Sequence, residues 1–219
     1  MDTSFWNERW QKGEISFHSA DVQPALIKHW PALGIAKGST VFVPLSGKSL
    51  DMLWLAEQGY RVIGSELSEI AVDRFFEERG FKPSVQTHES FVVKSSGVYE
   101  MWCGDFFALA PNGLKTMAAV YDRAALVAMP PEMQPRYAAK LAGLIPAGVP
   151  TLLIGLDYDP REMKGPPFAT PQKQVRELFA PWFSVEVLGA RDGLAKSEHL
   201  KKKGVTRLEE ATYLLRRQA

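Results

Sequence analysis

Residues 39–51 constrain the fold of this chain more than any other stretch, because they combine a strand, a tight loop and the start of a helix. Thr40–Val43 is short, apolar and rich in β-branched residues, and Pro44 removes a backbone donor, so a central strand should end there. Residues 46–49 carry turn and capping side chains, and apolar residues recur at helical spacing over 50–54. In open α/β sheets, ligands bind at such a loop between the carboxyl end of a strand and the amino end of a helix.

A second predicted strand ends in an acidic residue about twenty positions further on. The run 60–65 leads into Glu66, where nucleotide-binding α/β folds place the carboxylate that binds ribose hydroxyls. The loop carries no phosphate-binding motif: position 42 is Phe where a P-loop needs Gly, and only one Gly lies between residues 39 and 58. These features suit a nucleoside without phosphates, such as S-adenosylmethionine, although many α/β proteins have such a loop for structural reasons alone.

Strands and helices alternate along the rest of the chain, which predicts a single α/β domain over residues 1–219. Residues 1–38 precede the first strand and are predicted to form a helical lid region. The alternation favours a mainly parallel sheet of seven strands with helices on both faces. The predicted strands are 40–43, 61–65, 98–102, 117–121 and 151–156, followed by a C-terminal antiparallel pair at 183–188 and 212–215.

Composition excludes several classes of partner. The 219 residues carry 26 basic and 25 acidic side chains, so the charge gives no reason to expect nucleic acid or an anionic membrane as a partner. Cys103 is the only cysteine, which excludes an internal disulfide and a cysteine-based zinc site, and no metal site is predicted. No apolar run approaches the roughly 20 residues of a membrane helix, and the first residues lack signal-peptide features. We expect a cytoplasmic protein, and a monomer because no long apolar stripe is left over.

Three groups of side chains are candidates for a ligand site. Trp6 and Trp10 can share one helix face, either as core aromatics that anchor a terminal helix or as a lid over a flat or cationic ligand. The pair Asp105–Phe106 follows the third strand, and it would either bond and stack on an adenine or cap a turn beside the core. Asp122–Arg123 follows the fourth strand, and a charge pair at the end of a buried strand indicates a wet cleft.

The chain resembles the thiopurine S-methyltransferase family along essentially its whole length. No single motif is specific, but their combination is. The resemblance implies a Rossmann-like class I methyltransferase fold that uses S-adenosyl-L-methionine and releases S-adenosyl-L-homocysteine. The stretches that carry it are Phe5-Trp6-Asn-Glu-Arg9-Trp10, Phe17-His18, Val43-Pro-Leu-Ser-Gly-Lys48, Val62-Ile-Gly-Ser-Glu66-Leu-Ser68, Tyr121-Asp-Arg-Ala-Ala-Leu126, Tyr158-Asp-Pro160 and Gly165-Pro-Pro-Phe168.

The resemblance also implies roles for individual residues. Animal members of the family have an arginine in a late loop, where this chain has His199 or Lys201 within the basic segment 191–207. That difference leaves the preferred thiol open, and the charge run itself is expected to be mobile, solvated surface. The implied cofactor-binding residues are Trp6, Trp10, Leu45, Glu66, Asp105, Phe106 and Arg123, and the implied substrate contacts are Phe17 and Arg123.

The implied reaction is a direct displacement that moves the sulfonium methyl group to the sulfur of a thiopurine or another aromatic or heterocyclic thiol. Such thiols are largely ionised near neutral pH, so no general base is expected, and Arg123 would orient the thiolate by charge because it stays protonated. Two alternatives remain: a detoxifying methylation of selenium or tellurium compounds, which would confer metalloid resistance, and a protein that binds S-adenosylmethionine without catalysis.

Overall fold

A computed structural model describes residues 3–114 and 116–219. It divides into two compact units, Met1–Val120 and Tyr121–Ala219, and each is described by itself below. Residues 1 and 2 of the predicted lid region lie outside the described residues, as does Lys115.

The first unit holds the predicted nucleoside site. Its helices are α1 (Thr3–Lys12), α2 (Pro24–His29), α3 (Leu50–Glu57) and α4 (Glu69–Glu77), with 3-10 turns at Trp30–Leu33, Phe106–Ala108 and Pro111–Leu114. Its strands are β1 (Thr40–Val43), β2 (Arg61–Glu66), β3 (Ser84–His88), β4 (Phe91–Ser96), β5 (Tyr99–Cys103) and the first residues of β6 (Met117–Arg123).

The second unit contains the C-terminal strands. Its helices are α5 (Gln134–Leu144), α6 (Gln172–Phe179) and α7 (Glu198–Lys201), with 3-10 turns at Leu126–Ala128 and Leu194–Lys196. Its strands after β6 are β7 (Pro150–Asp157), β8 (Phe183–Asp192) and β9 (Glu209–Arg217).

In the described part of the chain, the strands form one nine-stranded sheet in the order β3-β4-β5-β2-β1-β6-β7-β9-β8. β1 pairs in parallel with β2 and β6, and β2 pairs in parallel with β5. β9 pairs antiparallel with β7 and β8, which confirms the predicted C-terminal pair. The predicted count of seven strands is wrong, because an antiparallel hairpin of β3 and β4 adds two strands beside β5.

The centre of the first unit explains why the loop after β1 is well defined. All four residues of β1 are buried, as expected for a parallel strand covered on both faces. Ser49 caps α3, and its Oγ accepts a hydrogen bond from Asp51 N at 3.2 Å. Proline, a short strand and a capped helix therefore fix the two ends of the loop over residues 44–49.

The late basic segment, expected to be mobile, solvated surface, contains several buried apolar residues. Leu200, Val205 and Leu208 are buried in a cluster with Tyr158 and Met163. Leu200 lies between Lys196 and Lys201, whereas Val205 and Leu208 follow the lysine run, so the charge pattern masks the apolar residues that pack this segment onto the second unit. Across the residues that the structure describes, no helix combines the length and apolar character needed to cross a membrane.

Candidate functional site

The loop after β1 is bent by a left-handed leucine and fastened to β2. Leu45 has φ 47° and Gly47 has φ 52°, in a region that costs a non-glycine residue conformational energy. Ser46 N donates to Ser65 O at 2.9 Å, and Gly47 N donates to Glu66 Oε2 at 2.8 Å. The end of β2 therefore determines the path of the loop.

Glu66 is the buried acid at this loop. Its side chain lies at the end of β2 and the residue is 8% exposed. Its Oε1 accepts from Ser68 N at 2.9 Å, while its Oε2 accepts from Gly47 N. Burial raises the pKa of Glu66, and the backbone hydrogen bonds from Ser68, Gly47 and Leu67 oppose that rise. An ionised carboxylate has about four acceptor positions, so Glu66 retains acceptor capacity, and its contact with ribose hydroxyls stays a prediction.

Aromatic rings from the N-terminal segment cover the loop. Trp10 is 2% exposed, and its Cζ2 lies 3.3 Å from where a Cβ would stand on Gly47. Phe17 packs edge-on against Trp10 at 5.6 Å and against Trp6 at 5.5 Å between ring centroids. Phe17 remains 36% exposed. Trp10 thus packs against the loop, while Phe17 keeps exposed ring surface at the edge of this cluster.

An ion pair attaches the same loop to α4. Lys48 Nζ lies 2.5 Å and 2.8 Å from the two carboxylate oxygens of Glu78. Lys48 is buried whereas Glu78 is half-exposed, and the hydrogen bond from Lys48 is the main cause that lowers the pKa of Glu78. Arg79 Nη2 donates to Lys48 O at 3.3 Å. The side chain of Lys48 is thereby committed to a structural contact.

Asp105 and Phe106 adopt the arrangement expected of a cap beside the core. The Asp105 carboxylate accepts from Phe107 N at 2.9 Å and begins the 3-10 turn after β5. Phe106 is buried and packs edge-on against Phe107. Because Asp105 is exposed, it retains acceptor capacity, and its contact with an adenine stays a prediction.

The second unit holds a buried acid that the sequence placed in a wet cleft. Asp122 is 0% exposed, its Oδ2 accepts from the Tyr137 hydroxyl at 2.6 Å, and its Oδ1 accepts from Leu126 N at 3.3 Å. Burial raises the pKa of Asp122 to about 6, against the lowering effect of Tyr137 and the amides of Leu126 and Ala125. The expectation of a wet cleft is wrong for Asp122, because a phenol and backbone amides satisfy its carboxylate.

Arg123 is the last residue of β6 and belongs to this second unit, whereas the other predicted site residues belong to the first. It is half-buried, and the residue after it, Ala124, has φ 69°. In the late segment, Lys201 pairs with Glu198 at 2.7 Å. His199 is half-buried, and burial lowers its pKa, followed by the charge of Lys203.

The structure brings Trp6, Trp10 and Phe17 together and places Trp10 against the loop that is hydrogen-bonded to Glu66. Sequence reasoning missed the hydrogen bond from Gly47 to Glu66 and the partnership of Tyr137 with Asp122. The first has no sequence signal, because it joins a backbone amide to the side chain of a residue nineteen positions away. For the second, Tyr137 was a usable signal, because it lies on the buried face of α5 and a buried phenol needs a hydrogen-bond partner. Among the described residues there is no group of three His, Cys, Asp or Glu side chains that could hold a metal ion.

Comparison with known proteins gives a consistent result. The family model for thiopurine S-methyltransferase (TPMT) matches residues 1–218. A Pseudomonas entomophila protein named thiopurine S-methyltransferase is 49% identical over 217 residues, covering 99% of this chain and 100% of the relative. A Methylococcus capsulatus protein of the same name is 48% identical over 220 residues, covering 100% and 99%.

Solved structures with low sequence identity share the fold. The 1,6-didemethyltoxoflavin-N1-methyltransferase of Burkholderia thailandensis, solved with S-adenosylhomocysteine, has a TM-score of 0.65 at 15% identity. The alignment covers 99% of this chain and 87% of that one. At this identity the likeness establishes the Rossmann-like methyltransferase fold.

Proposed function

The chain belongs to the thiopurine S-methyltransferase family and is therefore an S-adenosylmethionine-dependent methyltransferase, and we propose that it methylates the sulfur of small aromatic or heterocyclic thiols, thiopurines among them. The observation that carries this proposal is the buried Glu66 carboxylate, tied to the Gly47 amide beneath Trp10.

The residues around this carboxylate fit an adenosyl group. Glu66 has acceptor capacity for the ribose hydroxyls, and the absence of a glycine-rich phosphate cradle in the loop suits a nucleoside. We propose that Leu45 lines the methionine end of the cofactor and that Asp105 and Phe106 lie beside its adenine.

The aromatic cluster supports a cationic ligand. When bound, S-adenosylmethionine supplies an electrophilic methyl group on a positively charged sulfur. The rings of Trp6 and Trp10 attract a cation through their π faces and keep water from the site. We propose that Phe17, the most exposed ring of the cluster, contacts the methyl acceptor.

We assign Arg123 the task of holding the acceptor, with no general base in the site. A guanidinium remains protonated and binds a thiolate by charge and hydrogen bonding. Aromatic thiols arrive largely ionised, so alignment of the acceptor supplies most of the acceleration. Cys103 is unsuited to act as a nucleophile, because burial, followed by Glu66 and Glu69, raises the pKa of its thiol to about 11.

A panel of acceptors tests the proposal. The purified protein is incubated with methyl-labelled S-adenosylmethionine and a thiopurine, an aromatic thiol, selenite or tellurite, and products are identified by mass spectrometry. We expect S-methyl products from the thiols. Cofactor binding by calorimetry with no methyl transfer to any sulfur acceptor would refute the thiol assignment, and transfer only to the selenium or tellurium compounds would replace it.

The role of Arg123 has its own test. Arg123→Lys keeps the positive charge but loses the planar guanidinium group, whereas Arg123→Met removes the charge and keeps a long, unbranched side chain. We expect the methionine variant to raise KM for a thiol acceptor by about tenfold or more and the lysine variant to raise it less, since a charge-assisted contact contributes about 1.5–3 kcal/mol. Equal KM values in all three proteins would remove Arg123 from the acceptor site.

A further inference from the structure

The turn after β6 is held in a strained shape by a buried acid. Ala124 has φ 69°, which an alanine adopts only when its surroundings impose it. The amide of Leu126, just beyond the turn, donates to Asp122 Oδ1 at 3.3 Å. The carboxylate of Asp122 thus reaches over Ala124 to hold the chain on its far side.

The acid is itself held by one side chain. The Tyr137 hydroxyl, on α5, donates to Asp122 Oδ2 at 2.6 Å, and both residues are fully buried. Successive side chains of a strand point to opposite faces, so Arg123 projects away from this pair while sharing its backbone. Displacement of the Asp122 carboxylate therefore shifts Arg123 through the backbone that the two residues share.

We propose that Asp122 is a positioning residue, whose carboxylate, oriented by the Tyr137 hydroxyl, fixes the turn that aims Arg123 at the methyl acceptor. This inference rests on the proposed function of Arg123. Asp122 itself touches neither acceptor nor cofactor in this scheme.

The pair makes the turn sensitive to protonation. The ionised carboxylate attracts the Tyr137 hydroxyl and the amides of Ala125 and Leu126, and burial raises the pKa of Asp122 to about 6. Tyr137 is the titratable group that acts on Asp122 from α5, while residues 126–128, beyond the turn, are apolar. Protonation removes the charge that holds the three donors, so the turn loosens below that pH.

Two measurements on the wild-type protein and two variants test the inference. Tyr137→Phe removes the hydroxyl that stabilises the ionised carboxylate. Tyr213→Phe is the matched control, because its hydroxyl is equally buried in the same unit but has no hydrogen-bond partner among the described residues. The first measurement is the pH profile of kcat/KM with one thiol acceptor, across about pH 5 to 9. The second is the amide chemical shift of Leu126 over the same range by NMR.

We expect the wild-type Leu126 amide to titrate with a midpoint of about 6, together with the acid limb of kcat/KM. In Tyr137→Phe both midpoints should rise by about one pH unit, because a hydrogen bond to the charged form is lost. Tyr213→Phe should leave both in place. The acceptor's own ionisation is the same in all proteins, so it cannot produce a shift that only Tyr137→Phe shows.

The inference is overturned if Tyr137→Phe folds and both midpoints stay at their wild-type values, or if the wild-type Leu126 amide does not titrate over this range. Should Tyr137→Phe fail to fold, Asp122→Asn provides the second variant, in which the Leu126 titration must vanish. If no thiol is methylated by the wild-type protein, the proposed function fails, and the amide titration still decides whether Asp122 controls the turn.

Discussion

Replacing Glu66 by glutamine should weaken binding of S-adenosylmethionine about 100-fold while leaving the fold intact. In the free protein the carboxylate accepts from Gly47 N at 2.8 Å and from Ser68 N at 2.9 Å. Two ribose hydroxyls would add two hydrogen bonds to a charged acceptor, each worth about 1.5 kcal/mol at the lower end of the range. Their loss amounts to about 3 kcal/mol, and about 1.4 kcal/mol corresponds to a tenfold change in Kd.

The stability of the free variant separates binding from folding. Burial raises the pKa of Glu66, so the ionised group destabilises the fold, and stability present below its unfolded pKa is lost as the pH rises through its folded pKa. Glutamine removes that penalty at neutral pH but turns its NH2 group toward a backbone amide that donated to the carboxylate. These opposing effects should leave the free energy of unfolding within about 2 kcal/mol of wild type.

Calorimetric titration with the cofactor and urea unfolding of the free protein provide the two readouts. Glu77→Gln is the matched control, because it removes the same charge from an exposed position at the end of α4. It should bind the cofactor as the wild type does. A folded Glu66→Gln protein whose Kd lies within about threefold of wild type would refute the assignment of Glu66 to the ribose.

Three further outcomes follow from the same geometry. Gly47→Ala and Gly80→Ala both place alanine at positive φ, 52° and 67°, and urea unfolding should show a loss of about 1–2 kcal/mol for each. Only Gly47→Ala should also weaken cofactor binding, because a Cβ at position 47 would press against the indole ring of Trp10. The pairing with Lys48 lowers the pKa of Glu78. The wild type should therefore be more stable than Glu78→Gln at neutral pH, by under about 1 kcal/mol for this half-exposed group. That difference in the free energy of unfolding should vanish as the pH falls through the lowered pKa of Glu78. Cys103, with a pKa of about 11, should react with iodoacetamide near pH 8 about 100-fold more slowly than a free cysteine thiol of pKa about 8.5.

The sequence predicted those elements whose pattern is local. Apolar, β-branched runs located β1, β2 and β7 to within a few residues of their observed bounds. The acid at the end of β2 was located by its spacing from the first loop; the structure buries it and bonds it to Gly47 N, and its contact with a ribose stays a prediction. For the three strands, the physical cause of the structure lies within about ten residues of the element it produces.

The sequence could not predict features that depend on pairing across the chain. Every residue of β3 is exposed, so no apolar alternation marks this strand, and its existence depends on pairing with β4. The satisfaction of Asp122 likewise depends on Tyr137, fifteen residues away on α5. A buried charge needs a partner, but that rule does not say whether the partner is water or protein.

The left-handed backbone at Leu45 has a consequence for how the loop meets a ligand. The sheet and α3 impose the curvature when the domain folds, so this stretch of main chain should follow the same path with and without cofactor. Phe17 contacts α1 through the rings of Trp6 and Trp10, and ring contacts permit sliding. We therefore expect the loop over residues 44–49 to present a fixed surface to a ligand and the segment around Phe17 to present an adjustable one. Differences in acceptor preference among relatives should be sought in the segment around Phe17.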